Sequence, residues 1–136
     1  MKRSLIELRT QGRGLLRLDH RINDSLAELG ANQGLCHLFI QHTSASLLIT
    51  ENADPDVHRD LETWMREAVL DGDPRFLHRA EGPDDMSAHI RSILTQTELS
   101  VPVEAGRLAL GTWQGIYLWE HRAAAHRRRV LISLVE

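Results

Sequence analysis

Residues 35–50 read LCHLFIQHTSASLLIT, and this stretch decides the fold. In its first half Leu35, His37, Phe39 and Gln41 alternate with Cys36, Leu38 and Ile40. A period of two is the signature of a strand with two different faces, here over 35–41. The small residues Thr43, Ser44 and Ala45 interrupt it, and a second strand runs from Ser46 to Thr50. Toward the N-terminus the period changes. Ile22, Leu26 and Leu29 recur at helical spacing over 19–29, and Gly30 stands where a helix stops. Residues 4–9 and 14–18 read as short strands around a Gln11-Gly12 turn. Toward the C-terminus a helix is expected from about Pro55 to Val69, with Asp54 as N-cap and Pro55 in its first turn. Val57, Leu61, Trp64, Met65 and Ala68 mark its apolar face. A loop from Asp71 to Gly82 precedes a helix over about Asp84–Thr95, with Met86, Ile90, Ile93 and Leu94 expected inward. The end of the chain is β-rich: Ser100–Val103, Arg107–Leu110, Gln114–His121 and Val130–Val135. Together these elements predict one α+β domain over 1–136, mostly antiparallel, with helices packed beside the sheet.

Composition narrows the chemistry. Hydrophobic residues make up 42% and charged residues 26%, which fits a globular chain and no apolar run long enough to span a bilayer. The N-terminal MKRSLIELRT lacks a signal-peptide core, so a cytoplasmic location is expected. A net charge of −3 argues against non-specific nucleic-acid binding. The only lysine is Lys2, which excludes a Schiff-base lysine in the body of the fold and a Gly-Lys-Ser/Thr phosphate loop. The single Cys36 excludes an internal disulfide and a Cys-based zinc or iron–sulfur site from one chain. Histidine, carboxylate and arginine remain, and the eight histidines outnumber Trp, Tyr and Phe together.

Four polar constellations concentrate those residues. Gln41-His42-Thr43-Ser44-Ala45-Ser46 places an imidazole and hydroxyls at a strand end, which suits either an anion or a self-satisfied turn. In Glu51-Asn52-Ala53-Asp54-Pro55-Asp56 the acidic residues suit a helix start, leaving Glu51 and Asn52 without an evident structural task. The stretch His78 to His89, HRAEGPDDMSAH, is the most informative. Asp85 and His89 are four apart and share a helix face, and the Gly82-Pro83 turn lets His78 converge on them. Two imidazoles and a carboxylate form a divalent-metal set. The competing reading is an N-cap, an i,i+4 pair and a surface histidine. Finally, Gly111 to Arg122, GTWQGIYLWEHR, is either a core strand with a polar exit or a base, imidazole and guanidinium brought together. The run Arg127-Arg128-Arg129 reads as a solvated turn, with anion binding the minority alternative.

The blocks QHTSASLLITENADPDV, HRAEGPDDMSAHI and GRLALGTWQGIYLWEHR resemble the YjbQ-like family from about Gly34 to Leu134, with weaker similarity before. Members of that family are described variously as secondary thiamine-phosphate synthases and as proteins of unknown function. The resemblance implies a small α+β fold with a mostly antiparallel β-sandwich of about seven or eight strands and two or three helices. It also implies a trimer and a histidine-lined, metal-associated site. Carried over to this chain, the site comprises His42, Ser44, Glu51, Asn52, His78, Glu81, Asp84, Asp85, His89, Gln114, Glu120, His121 and Arg122. Ser44 replaces the family's commoner threonine, and Phe76 stands where a tyrosine is frequent.

The implied reaction joins a pyrimidine pyrophosphate to a thiazole phosphate. On that reading His42, His78 and His89 are metal ligands, with His121 as substitute. Glu51, Asp85 and Glu120 supply a base or orient the ligands, joined by His121 and Arg122. Ser44, Asn52, Arg107, Trp113 and Gln114 contact a small phosphorylated molecule, with Arg107 and Arg122 on phosphate and Trp113 stacking. Asp84 and Asp85 would hold Mg²⁺ with a pyrophosphate, whereas the histidines favour zinc. Alternatives are a metal-dependent hydrolase or lyase, and a non-catalytic trimer that binds metal or a small molecule.

Overall fold

The alternation at 35–41 becomes the centre of a five-stranded sheet. The computed structural model describes residues Met1–Glu136. Its elements in chain order are β1 (Lys2–Arg9), β2 (Gly14–Arg17), α1 (Asp19–Glu28), β3 (Gly34–Ile40), β4 (Ala45–Glu51), α2 (Pro55–Ala68), α3 (Asp85–Leu94), β5 (Glu98–Glu104), β6 (Arg107–Leu108), β7 (Gln114–Glu120) and β8 (Arg127–Val135). One sheet has the order β1-β8-β3-β5-β6 and the other β2-β7-β4, with every pairing antiparallel. The expected α+β class, with mostly antiparallel strands and a few helices, is what the structure shows.

The two sheets face each other across the main core. Cys36, Leu38 and Ile40 of β3 point into it beside Ile6, Val101, Val130, Ile132 and Leu134, and meet Leu47, Ile116 and Leu118 of the smaller sheet. Leu18, Ile22 and Leu26 bring α1 onto the same core. Gly30, at φ +71, ends α1 as its C′ glycine and donates to Ala27 O at 3.0 Å. The strands around Gln11-Gly12 do not pair with each other: β1 joins β8 and β2 joins β7, so the turn passes the chain from one sheet to the other.

Helices α2 and α3 cover the outer face of the smaller sheet, where Met65, Val69 and Trp119 form a second core flanked by Leu15, Leu48, Leu61 and Ile90. Both helices sit partly rotated from the apolar faces expected of them. On α2 Leu61 and Met65 face in as expected, joined by Val69 just past the helix end, while Trp64 is 64% exposed and Ala68 also faces out. On α3 Ile93 and Leu94 face out, and Asp85, Ser87, Ala88, Arg91 and Ser92 are buried. Polar partners decide the α3 rotation. Arg91 turns in to pair with Glu62 of α2 at 3.0 Å, and Asp85 turns in to meet Arg122 at 2.9 Å. By contrast no helix covers the outer face of the larger sheet, where Leu5, Leu35, Phe39 and Val135 are exposed.

Candidate functional site

The site is built where α3 begins, against the chain leaving β7. Gly72, at φ +62, donates its N–H to Pro83 O at 2.9 Å and closes the 72–83 loop upon itself. That loop carries His78 back toward α3. A cavity of about 360 Å³ lies inside it, with His78, Phe76 and Arg79 on its wall. His78 Nε2 lies 2.7 Å from Asp85 Oδ2, and His89 Nε2 lies 3.3 Å from the same oxygen. The two imidazole rings stand 5.5 Å apart at 62°. One ligand atom from each of the three residues falls within 4.8 Å of the others.

Arg122 fixes this arrangement. Its Nη1 donates to Asp85 Oδ1 at 2.9 Å, its Nε to Asp84 Oδ2 at 3.0 Å, and its Nη2 to Glu81 O at 2.9 Å. The competing reading of this stretch made Asp84 an N-cap. It holds that position in α3, but its carboxylate accepts from Arg122 and from Ala123 N–H instead of capping the helix. Burial raises the Asp85 pKa, but the His78 hydrogen bond and the Arg122 charge outweigh it and hold the carboxyl below its ordinary range. Asp84 is likewise held low: the Arg122 and Ala123 hydrogen bonds overcome its burial. Asp85 therefore offers Oδ2 to the two histidines as a carboxylate, while its other oxygen is locked to a guanidinium.

The remaining expected residues divide between places. Glu120, 1% exposed, is paired with buried Arg128 and accepts from Thr10 Oγ1 at 2.6 Å. His121 is fully buried: its Nε2 is 2.8 Å from Ser46 Oγ, its N–H donates to Ser44 O, and its Nδ1 has no partner. Ser44 Oγ accepts from Arg128 Nη2 at 3.0 Å. His42 does not join His78 and His89. Its Nε2 accepts Arg129 N–H at 2.8 Å, and burial with the nearby Arg128 charge lowers its pKa.

Glu51, Asn52, Trp113 and Gln114 gather at the opposite end of the β4–β7 pair. Glu51 stands across from Gln114 and Ala45 across from Glu120, roughly 20 Å apart along the strands. Contrary to the sequence reading, Glu51 and Asn52 do have structural tasks. Glu51 Oε2 accepts Asp54 N–H at 2.6 Å, and Asn52 Nδ2 donates to Thr112 O and Gln114 O. Gln114 Oε1 accepts Gly111 N–H at 2.7 Å, Trp113 is 65% exposed, and Arg107 lies on β6 in the other sheet.

Two contributors went unseen in the sequence. Arg13 grips Asp71 through both terminal nitrogens at 2.6 Å and donates from Nε to His121 O, while Ser87 Oγ donates to Asp71. No local spacing signals that link, because its members, Arg13, Asp71, Ser87 and His121, come from four separate parts of the chain. Arg128 was hidden in a run of arginines, although a period of two on β8 turns it inward.

A family model described as UPF0047 protein YjbQ-like matches residues 4–136. A UPF0047 protein of Synechocystis sp. is 46% identical over 96% of this chain and 88% of its own. The UPF0047 protein YjbQ of Escherichia coli O157:H7 is 42% identical over 95% and 94%. Among solved structures, a conserved hypothetical protein of Thermus thermophilus superposes with a TM-score of 0.87 at 32% identity, covering 97% of this chain and 99% of that one. A hypothetical protein of Aeropyrum pernix gives 0.89 at 26%, covering 99% and 98%. These relatives carry a family label and no activity, which corrects the expectation of a thiamine-phosphate synthase-type metal enzyme acting on a phosphorylated metabolite. The geometry adds a physical reason. Asp84 and Asp85, assigned there to a Mg²⁺-pyrophosphate, are both engaged by Arg122, and the assigned phosphate and ring contacts Arg107 and Trp113 are not brought to them.

Proposed function

The chain belongs to the UPF0047 YjbQ-like family, and we propose that His78, Asp85 and His89 form a centre for one divalent transition-metal ion, zinc by preference. The observation that carries this reading is the convergence of two imidazole nitrogens on one carboxylate oxygen, all within 4.8 Å. Zinc bond lengths of about 2.0–2.2 Å in tetrahedral geometry put ligand atoms roughly 3.3 Å apart; His89 Nε2 lies at that distance from Asp85 Oδ2, and His78 Nε2, at 2.7 Å, would move out by about half an ångström. Two nitrogens and one oxygen suit zinc better than magnesium, which favours oxygen throughout. Arg122 orients Asp85 from outside the triad, as partners of metal-ligating groups commonly do, and Asp84 offsets its charge. Three protein ligands leave a fourth position open.

Zinc titration of the purified chain against a chromophoric chelator tests this centre. One equivalent should bind the native chain, and His89→Ala and Asp85→Asn should each lose most of that affinity while keeping the native circular dichroism. Equal affinity in native chain and variants, or no binding by any, would remove the metal and leave a hydrogen-bonded triad.

Two further features bear on where and how the chain works. No helix is long and apolar enough to cross a membrane. The one thiol, Cys36, is buried and pushed up to about 12 by burial, so it stays protonated and unreactive; a cytoplasmic setting is the location proposed. The uncovered apolar face of the larger sheet supports self-association, and a homotrimer is the assembly proposed.

A further inference from the structure

We propose that Arg9, Arg127 and Arg129 form a binding site for a phosphate dianion, free or esterified, separate from the His78–Asp85–His89 cluster. The site is set by register. β1 and β8 pair so that Arg9 stands directly opposite Arg127 and Glu7 opposite Arg129. All four lie at alternate positions and so share the outer face of the sheet with Leu5 and Leu131, but Arg9 and Arg127 form the last pair of the β1–β8 ladder, at the end of that face beyond its apolar patch, and all four are exposed. Between them is a cavity of about 370 Å³, floored by Leu8 and Arg128.

Charge then selects the ligand. Like charges directly across an antiparallel pair are destabilising, yet Arg9 and Arg127 face each other with no ion-pair partner for either side chain. Arg129 reaches Glu7 only at 3.9 Å, with both side chains more than half exposed. Arg128 beneath is neutralised by Glu120 and adds no free charge. Three guanidiniums against one carboxylate leave an excess of two positive charges, on a chain whose own balance is −3. A dianion cancels that excess, whereas chloride or a single carboxylate cancels half. Planar guanidinium forks match the oxygens of phosphate and hold them bidentately. With one lysine in the chain, phosphate recognition falls to arginine.

The site is tested by calorimetric titration of the full chain in EDTA at constant ionic strength, with inorganic phosphate, pyrophosphate and phenyl phosphate as probes and sodium chloride as control. Saturable binding of inorganic phosphate is expected. Phenyl phosphate binding more tightly assigns the site to an ester, and inorganic phosphate or pyrophosphate binding more tightly assigns it to free phosphate. Arg9→Gln with Arg127→Gln should weaken the best probe by roughly tenfold or more, one charge-assisted contact being worth about that factor. Without ligand the same double variant should melt no lower than the native chain, since it relieves a repulsion. Arg127→Lys, which keeps the charge and loses the fork, should fall between. His89→Ala should bind phosphate as the native chain does, which separates this site from the metal centre. A response matched by sodium chloride, an unaffected double variant, or binding lost in His89→Ala would each overturn the assignment.

Discussion

His121 lies just past β7, fully buried, with Nε2 on Ser46 Oγ. Burial, Arg91, Arg13 and Arg128 push its pKa down to about 3. It is therefore neutral in the fold across the neutral range. In the unfolded chain it takes up a proton near its ordinary pKa of about 6.5. Between those values the unfolded state binds more protons, so stability rises with pH and is lost as pH falls from about 6.5 toward 3. Asp85, Asp84 and Glu120 titrate below their ordinary range and add acid sensitivity of the same sign at lower pH. Melting temperature measured across pH 7 to 4 should fall steeply for the native chain and less steeply for His121→Gln. Parallel curves would show that His121 does not set the slope. At this scale the triad was legible: an i,i+4 pair and a Gly-Pro turn suffice to bring His78, Asp85 and His89 together. His42 and Arg128 were not legible, because the partners that fix them, Arg129 N–H and Glu120, depend on which strands pair.

The helices differ in how much of them can be read from pattern. At α2 the start was plain, and Asp54 does accept Asp56 N–H at 2.9 Å with Pro55 in the first turn. Asp54→Ala should cost about 1 kcal/mol, read from the shift in urea midpoint at constant slope. No shift would mean that Glu51, which accepts Asp54 N–H, carries the turn alone. The rotation of α3 was not legible. Apolar spacing favoured Ile93 and Leu94 inward, but the structure buries the Arg91–Glu62 and Asp85–Arg122 ion pairs in their place, an arrangement set by partners on other elements that apolar spacing does not register. Accordingly Arg91→Ala should destabilise the chain by about 3 kcal/mol or more, since it strands Glu62 and leaves a void between α2 and α3. A loss below about 1 kcal/mol in the same denaturation assay would show that this pair does not anchor α3.

Across the whole molecule, period-two and period-three-to-four patterns were enough for the class, while the division into two sheets was not. β1 and β8 lie at opposite ends of the chain and pair along eight positions, a link that no local signal announces. That same pairing creates the uncovered outer face, where Leu5 stands opposite Leu131 and Leu131 opposite Phe39. If this face carries the proposed homotrimer, light scattering on the native chain should report a trimer. Phe39→Glu with Leu131→Glu should then give a smaller, folded species, and an unchanged mass would place the interface elsewhere. The smaller sheet serves the other end of the molecule, because the chain leaving β7 delivers Arg122 to Asp85 and so orients the His78–Asp85–His89 triad proposed to hold metal. The most direct test of that triad is anomalous diffraction at the zinc edge from crystals of the zinc-reconstituted chain. A single strong peak coordinated by His78 Nε2, Asp85 Oδ2 and His89 Nε2 is predicted. Density showing those three atoms hydrogen-bonded to one another, with no anomalous signal between them, would contradict it.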